Sequence, residues 1–146
     1  MENWESYVRK VVPYVPGEQP QAERMIKLNT NENPYPPAPG VQRALAGFNP
    51  DTLRLYPEPT CKVLVDAIAS YYGLGSDQVF VGVGSDDVLA MIFLTFFNSG
   101  KPVFFPDITY SFYDVWAELF QIPYERPALD EHFDLIREDY YKENGG

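Results

Sequence analysis

The sequence predicts an α/β domain built on a parallel sheet, preceded by an extended, proline-rich arm. Three observations carry this. Ten of the fourteen prolines lie between positions 13 and 59. From position 60 onward, apolar residues alternate between helical and strand spacing, in the order helix, strand, helix, strand, helix, strand. Strand–helix–strand units of that length are the grammar of a parallel sheet with right-handed crossovers. The middle helix pattern, 86–97, has no polar face, so it must be covered on every side.

The arm comes first. A short helix is expected over 4–12. Asn31-Glu32-Asn33-Pro34-Tyr35-Pro36-Pro37-Ala38-Pro39 is excluded from any helix interior, because proline lacks a donor and forces its predecessor toward extended geometry. A second short helix is expected over 40–46. Arg54-Leu55-Tyr56-Pro57-Glu58-Pro59 reads as a rigid loop carrying one phenol. The expected division is an arm over 1–59 and a sheet-bearing part over 60–146.

Thr60 is the expected N-cap of a helix in which Cys61, Leu64, Val65, Ile68 and Tyr72 recur every three to four residues, with Gly73 as C-cap. Strand follows at 78–81. Ser85 is the expected cap of the all-apolar helix, which Asn98-Ser99-Gly100 ends. A second strand is expected at 102–105, a helix from Thr109 through Phe120, and a third strand at 122–126. Residues 139–146 read as a helix end and turn, after which a parallel sheet would continue. The uncovered helix and this ending together predict an N-terminal part of a larger protein.

Composition narrows the function classes. The chain has 146 residues, 45% hydrophobic and 22% charged, with a net charge of −10. That balance argues against a nucleic-acid or anionic-membrane surface. A single cysteine, Cys61, allows no internal disulfide, and no metal-ligand spacing exists. The polar start Met1-Glu2-Asn3-Trp4 is no signal peptide, and a cytoplasmic setting is expected. His132 has no nucleophile near it in sequence, and the adjacent Asp86 and Asp87 are not a facing carboxylate pair.

Two turns carry the chemistry. Gly82-Val83-Gly84-Ser85-Asp86-Asp87 ends a strand and opens a helix. It lacks the third glycine of a dinucleotide site and the Gly-Lys-Ser/Thr of a nucleotide loop. What remains is either a plain capped turn or free N–H groups at a positive helix end, suited to one phosphate. Acids in a first turn complement the helix dipole and need not face a ligand. Pro106-Asp107-Ile108-Thr109-Tyr110-Ser111 follows the next strand at the same sheet edge. Tyr110 there either packs on its own helix or stacks on a flat ring in the crevice where α/β ligands bind.

Taken jointly, the segments 28–35, 54–59, 81–87 and Pro106-Asp107-Ile108-Thr109-Tyr110-Ser111-Phe112-Tyr113, in that order and spacing, closely resemble the histidinol-phosphate aminotransferase family of fold type I pyridoxal-phosphate enzymes. The resemblance runs from about Tyr14 to the end, and covers only the N-terminal part of the family's length. It implies the three-layer αβα, mostly parallel fold of those enzymes, left incomplete, with 60–146 as the first part of the large cofactor domain and 1–59 as arm and dimer-contact segment. It implies pyridoxal 5'-phosphate as cofactor. Ser85 and Asp86 would give it N–H groups, with close approach at Gly84, and Tyr110 would stack on its ring. Tyr56 would reach a partner's cofactor phosphate across a homodimer. Tyr14, Asn31 and Asn33 would lie on the substrate side, for L-histidinol phosphate and 2-oxoglutarate or glutamate. Val83 stands where the family usually has asparagine, and Asp87 where it usually has glutamate. The lysine that anchors the cofactor as a Schiff base is expected beyond residue 146, so no residue here takes a catalytic role and the chain alone is expected to be inactive. Threonine-phosphate decarboxylase relatives and aromatic aminotransferases share these segments. A non-catalytic α/β phosphate-binding module is the alternative from another class.

Overall fold

The computed structural model describes residues 3–17 and 26–142. These fall into two compact units: residues 3–14 with 80–142, and residues 15–79.

The first unit holds the sheet. β1 (Val103–Phe104) and β2 (Tyr124–Glu125) pair in parallel, Val103 opposite Tyr124 and Phe104 opposite Glu125. Backbone bonds extend the pairing past the strands, from Val103 N to Pro123 O (2.9 Å) and from Asp107 N to Pro127 O (3.0 Å). The crossover is α4 (Phe112–Phe120), whose apolar stripe lies over the sheet. Phe93, Val103, Phe105, Ala117 and Ile122 form the core, and Ala117 is wholly buried. Aromatic rings surround it. Phe105 stacks on Tyr124 at 5.1 Å and Phe93 meets Phe97 edge-on at 5.1 Å. α4 ends on Gln121 in the left-handed region (φ 59°), and the Ile122 N–H returns to the Ala117 carbonyl at 2.8 Å. That return closes the helix and buries Ile122 against it.

α3 (Gly84–Phe96) is the helix without a polar face. Ala90 and Phe93 are buried, while Met91, Leu94 and Phe96 remain exposed. An apolar groove of about 460 Å³ runs beside it, lined by Phe80, Val88, Met91, Ile92, Thr95 and Phe96. The sequence demands more cover than this unit supplies.

The second unit contains α1 (Pro39–Ala46) and α2 (Lys62–Tyr72). Its one buried hydrophobic among the described residues is Ala69. Polar bonds hold it instead. The Glu58 carboxylate accepts from the Lys62 N–H (2.7 Å) and the Thr60 N–H (3.1 Å). Asp66 accepts from Lys62 Nζ and from Ser76 Oγ, both at 2.7 Å, which ties the turn after α2 back to the helix.

Several expected elements differ. The helix over 4–12 is a single 3-10 turn, Trp4–Tyr7, since Pro13 and a run of β-branched residues follow it. Thr60 is not the cap of α2. Cys61 occupies that position in the left-handed region (φ 51°), and Glu58 does the capping from outside. Ser85 does not cap α3, because the helix begins one residue earlier at Gly84, with Val83 at the cap position and no side-chain cap bond. The strand expected at 78–81 is a 3-10 turn at Ser76–Gln78 followed by unpaired chain. A strand needs a ladder partner, and among the described residues β1 and β2 pair only with each other. Of the expected helix end and turn at 139–146, a 3-10 turn at Arg137–Asp139 is present, and 143–146 lie outside the described residues.

Candidate functional site

The site is built where α3 begins. Gly84 sits at φ +84°, a backbone conformation that side chains resist, and no atom lies within 4 Å of where a Cβ would stand. Gly82 is different: a Cβ there would meet Val88 Cγ2 at 2.8 Å and Asp87 Oδ2 at 3.0 Å. Gly82 is thus required by crowding and Gly84 by conformation. The result is an open bend ahead of an uncapped helix N-terminus. The first N–H groups of a helix have no partner inside it, and those of Ser85 and Asp86 belong to that first turn.

The two acids are both engaged. The Asp87 carboxylate accepts from the Val83 N–H at 3.3 Å, across the bend. The Asp86 carboxylate accepts from the Tyr110 hydroxyl. That bond, reinforced by burial, pushes the Tyr110 phenol up to about 12, because ionising it would place two negative charges in contact.

Tyr110 stands at the turn before α4. Its ring lies 5.5 Å from Phe112 and 5.8 Å from Tyr113, so it does pack on its own helix, yet 39% of it stays open to solvent. Tyr14 joins the same cluster from the N-terminal segment, its ring 4.4 Å from Phe112. That segment is also tied to the far end of α4, where Arg9 Nη1 donates to the Leu119 carbonyl at 2.5 Å, a cation at the negative end of a helix. The turn itself is braced: Arg126 Nη2 donates to the Asp107 carbonyl (2.6 Å), and the Asp107 carboxylate accepts from the N–H groups of Ile108 (2.9 Å) and Leu129 (3.1 Å).

The first unit therefore brings together Tyr14, Gly84, Ser85, Asp86 and Tyr110. Asn31, Asn33 and Tyr56 belong to the second unit. Tyr56 is 93% exposed. Thr30 and Asn31 both take left-handed backbone, and the Asn33 carboxamide oxygen accepts from the Tyr35 N–H at 2.9 Å, so Asn33 shapes its own turn. Sequence reasoning missed Phe112, which lies between the two tyrosines, and the Asp86–Tyr110 bond. The Tyr-Ser-Phe-Tyr run at 110–113 announces an aromatic cluster, whereas nothing local announces a bond across 24 residues. No group of three or more possible metal ligands occurs among the described residues, and no helix among them is long and apolar enough to cross a membrane.

Comparison with known proteins identifies the family. The profile of the family described as "Aminotransferase class I and II" matches residues 23–140. A protein of Lactococcus lactis subsp. cremoris (strain MG1363) called histidinol-phosphate aminotransferase is 52% identical over 144 residues, covering 99% of this chain. One of the same name from Pseudomonas putida (strain W619) is 54% identical over 98% of the chain. Histidinol-phosphate aminotransferase 1 of Methylococcus capsulatus (strain ATCC 33009 / NCIMB 11132 / Bath) is 52% identical over 98%. The chain spans about 40% of the length of these curated relatives.

Proposed function

The chain belongs to the family of class I and II aminotransferases, and on that premise we propose that it forms the phosphate and ring end of a pyridoxal-phosphate site in an enzyme exchanging an amino group between L-histidinol phosphate and 2-oxoglutarate, in cytoplasmic histidine biosynthesis. The observation that carries this is the identity of about half the residues, over nearly the whole chain, to proteins bearing that name.

The residues present fit the cofactor. An uncapped helix start with an open bend at Gly84 suits a phosphate dianion, which replaces the missing cap. When bound, pyridoxal phosphate supplies an electron sink for amino-group transfer. The chain's own residues bind and orient. Ser85 and Asp86 offer N–H groups to the phosphate, and the Asp86 carboxylate is turned to Tyr110 instead of toward that anion. The Tyr110 ring offers its exposed part to the pyridine. Tyr14 serves the substrate's phosphate, Asn31 and Asn33 lie on the substrate side, and Tyr56 reaches the partner's cofactor phosphate in a homodimer. No residue of the chain is assigned a covalent or proton-transfer step. Lys27, Lys62 and Lys142 are already paired with Glu32, Asp66 and Glu125. The chain by itself is proposed to carry out no transamination, and glutamate plus pyridoxal phosphate should yield no 2-oxoglutarate above the cofactor-only background.

The decisive experiment is a chimera in which this chain replaces the matching 40% of the Lactococcus relative. Histidinol-phosphate-dependent conversion of 2-oxoglutarate to glutamate is the expected result. Turnover of aromatic amino acids or decarboxylation of threonine phosphate, with histidinol phosphate untouched, would replace the substrate assignment. A folded chimera that binds no pyridoxal phosphate would sink the reading.

A further inference from the structure

Asp86 occupies two elements at once. Its backbone lies in the first turn of α3, and its carboxylate accepts from the hydroxyl of Tyr110, at the turn before α4. Between these positions lie the rest of α3 and the whole of β1. The neighbouring acid behaves differently: Asp87 accepts from the Val83 N–H, within the same bend. The Tyr110 ring packs against Phe112 and Tyr113, and both belong to α4. The hydroxyl bond ties the ring directly to the helix start. A phenol free to turn about its χ1 and χ2 bonds loses rotamer freedom when held at both ends. A ring fixed before a ligand arrives spares that ligand the cost of ordering it.

We propose that the Asp86 carboxylate is a positioning residue, which holds the Tyr110 ring in fixed relation to the N-terminus of α3 and so sets the spacing between the phosphate end and the ring end of the site. The inference rests on the pyridoxal-phosphate reading for what the spacing serves. It also explains why an acid sits at a turn meant for an anion. The charge is committed to a hydroxyl donor and is directed toward α4.

The groups facing the phenol are Asp86 from α3, Tyr113 from α4 and Tyr14 from the N-terminal segment, and all three disfavour its ionisation. The test reads Tyr110 directly in the ligand-free chain, by NMR of [ζ-13C]tyrosine-labelled protein, with the resonance assigned by its loss in Tyr110→Phe. In the parent chain Tyr110 stays protonated well past the ordinary value of 10.0 and shows ring contacts to Tyr113. Asp86→Ala brings the titration down toward that value and weakens the contacts. Asp86→Asn keeps an acceptor and loses the charge, so it lowers the titration while retaining the contacts. That split separates positioning from bulk electrostatics, and it gives a reading even where the alanine variant folds poorly. An unchanged Tyr110 titration in both variants overturns the inference, as does equal loss of ring contacts in both. Ligand affinities form the second arm. Asp86→Ala weakens pyridoxal phosphate about three- to tenfold, the scale of one hydrogen bond, and does not weaken inorganic phosphate in parallel, because the backbone N–H groups remain and a nearby negative charge is gone. Equal weakening of both ligands would also overturn it. A parent chain that binds neither ligand overturns the cofactor reading alone, because the titration still decides the Asp86–Tyr110 link.

Discussion

The two units are built on different physics. The first buries Ala90, Phe93, Val103, Phe105, Ala117 and Ile122 and surrounds them with stacked rings. Among its described residues the second buries one alanine and is held by carboxylates: Glu58 at the start of α2, Asp66 between Lys62 and Ser76, and Glu32 with Lys27. Burial scales with the apolar area removed from water and carries no titrating charge. Exposed ionic and polar bonds are individually weak and depend on salt and pH. The first unit is thus a scaffold that carries the proposed site. The second is a set of local turns whose apolar residues, Tyr56 and Leu64 among them, stand open. That openness fits the proposed role of Tyr56 in a partner's site.

The largest effect should separate the units by equivalent truncations. Phe93→Ala removes a ring from the middle of the core and costs about 3–5 kcal/mol. Leu64→Ala, on the half-exposed face of α2, costs less than about 1 kcal/mol. Urea unfolding followed by tryptophan fluorescence reads the first, since Trp4 and Trp116 both lie in the first unit. Circular dichroism of the helices reads the second. Comparable losses would mean that the second unit has a core the burial pattern does not reveal.

Next in size is the bend at α3. Gly84→Ala meets no atoms, so its cost is conformational alone, about 1–2 kcal/mol. Gly82→Ala meets Val88 and Asp87 and must displace the carboxylate that closes the bend. If the two substitutions lowered the unfolding midpoint equally, the distinction between crowding and conformation at this turn would fail.

Parts of both units were legible in the sequence. Family membership and the parallel α/β pattern followed from turn motifs and spacing, and α2 and α4 from apolar periodicity and Gly73. The misses have one cause. Whether 78–81 is a strand depends on a neighbour that pairs with it, and periodicity cannot supply one. Thr60 has the right chemistry for a cap, but Glu58 reaches the same N–H groups once Cys61 takes a left-handed conformation. Of the site, the bend and the phenol were readable as separate turns. Their connection through Asp86 was not, because it depends on how α3 and α4 are folded together.

A smaller effect is expected at the end of α4, where Gln121 holds φ 59°. Gln121→Gly relieves that strain and adds unfolded-state freedom, so the net gain is about 0.5 kcal/mol. A rise of a few degrees at most in the tryptophan-detected melting temperature is expected. A fall would show that the Gln121 side chain contributes more than its backbone costs.

The smallest effect is the most direct test of the contrast, because pH should weaken the two units at opposite ends of the scale. In the second unit Glu32, Glu58 and Asp66 are all held below their ordinary values, Glu32 chiefly by its bond from Lys27, Glu58 by the Thr60 hydroxyl and Asp66 by Lys62. A lowered carboxylate stabilises the fold above its unfolded value, and that contribution is lost as pH falls below about 4.5 for Glu and 3.8 for Asp. In the first unit Tyr110 is raised by Asp86, and Tyr124 and Tyr140 are raised chiefly by burial. A raised phenol stabilises the fold below 10.0, and the contribution disappears as pH climbs from there toward the folded value, about 12 for Tyr110. Lys62 is raised by Asp66, so the second unit also has one alkaline-sensitive pair. Two buried alanines, Ala69 in one unit and Ala117 in the other, provide matched probes. Their methyl resonances, followed by NMR, should lose dispersion at different ends: Ala69 first in acid, Ala117 first in base. Simultaneous loss at both extremes would show that the units melt as one, and the contrast drawn from burial and charge would then describe their construction without describing their stability.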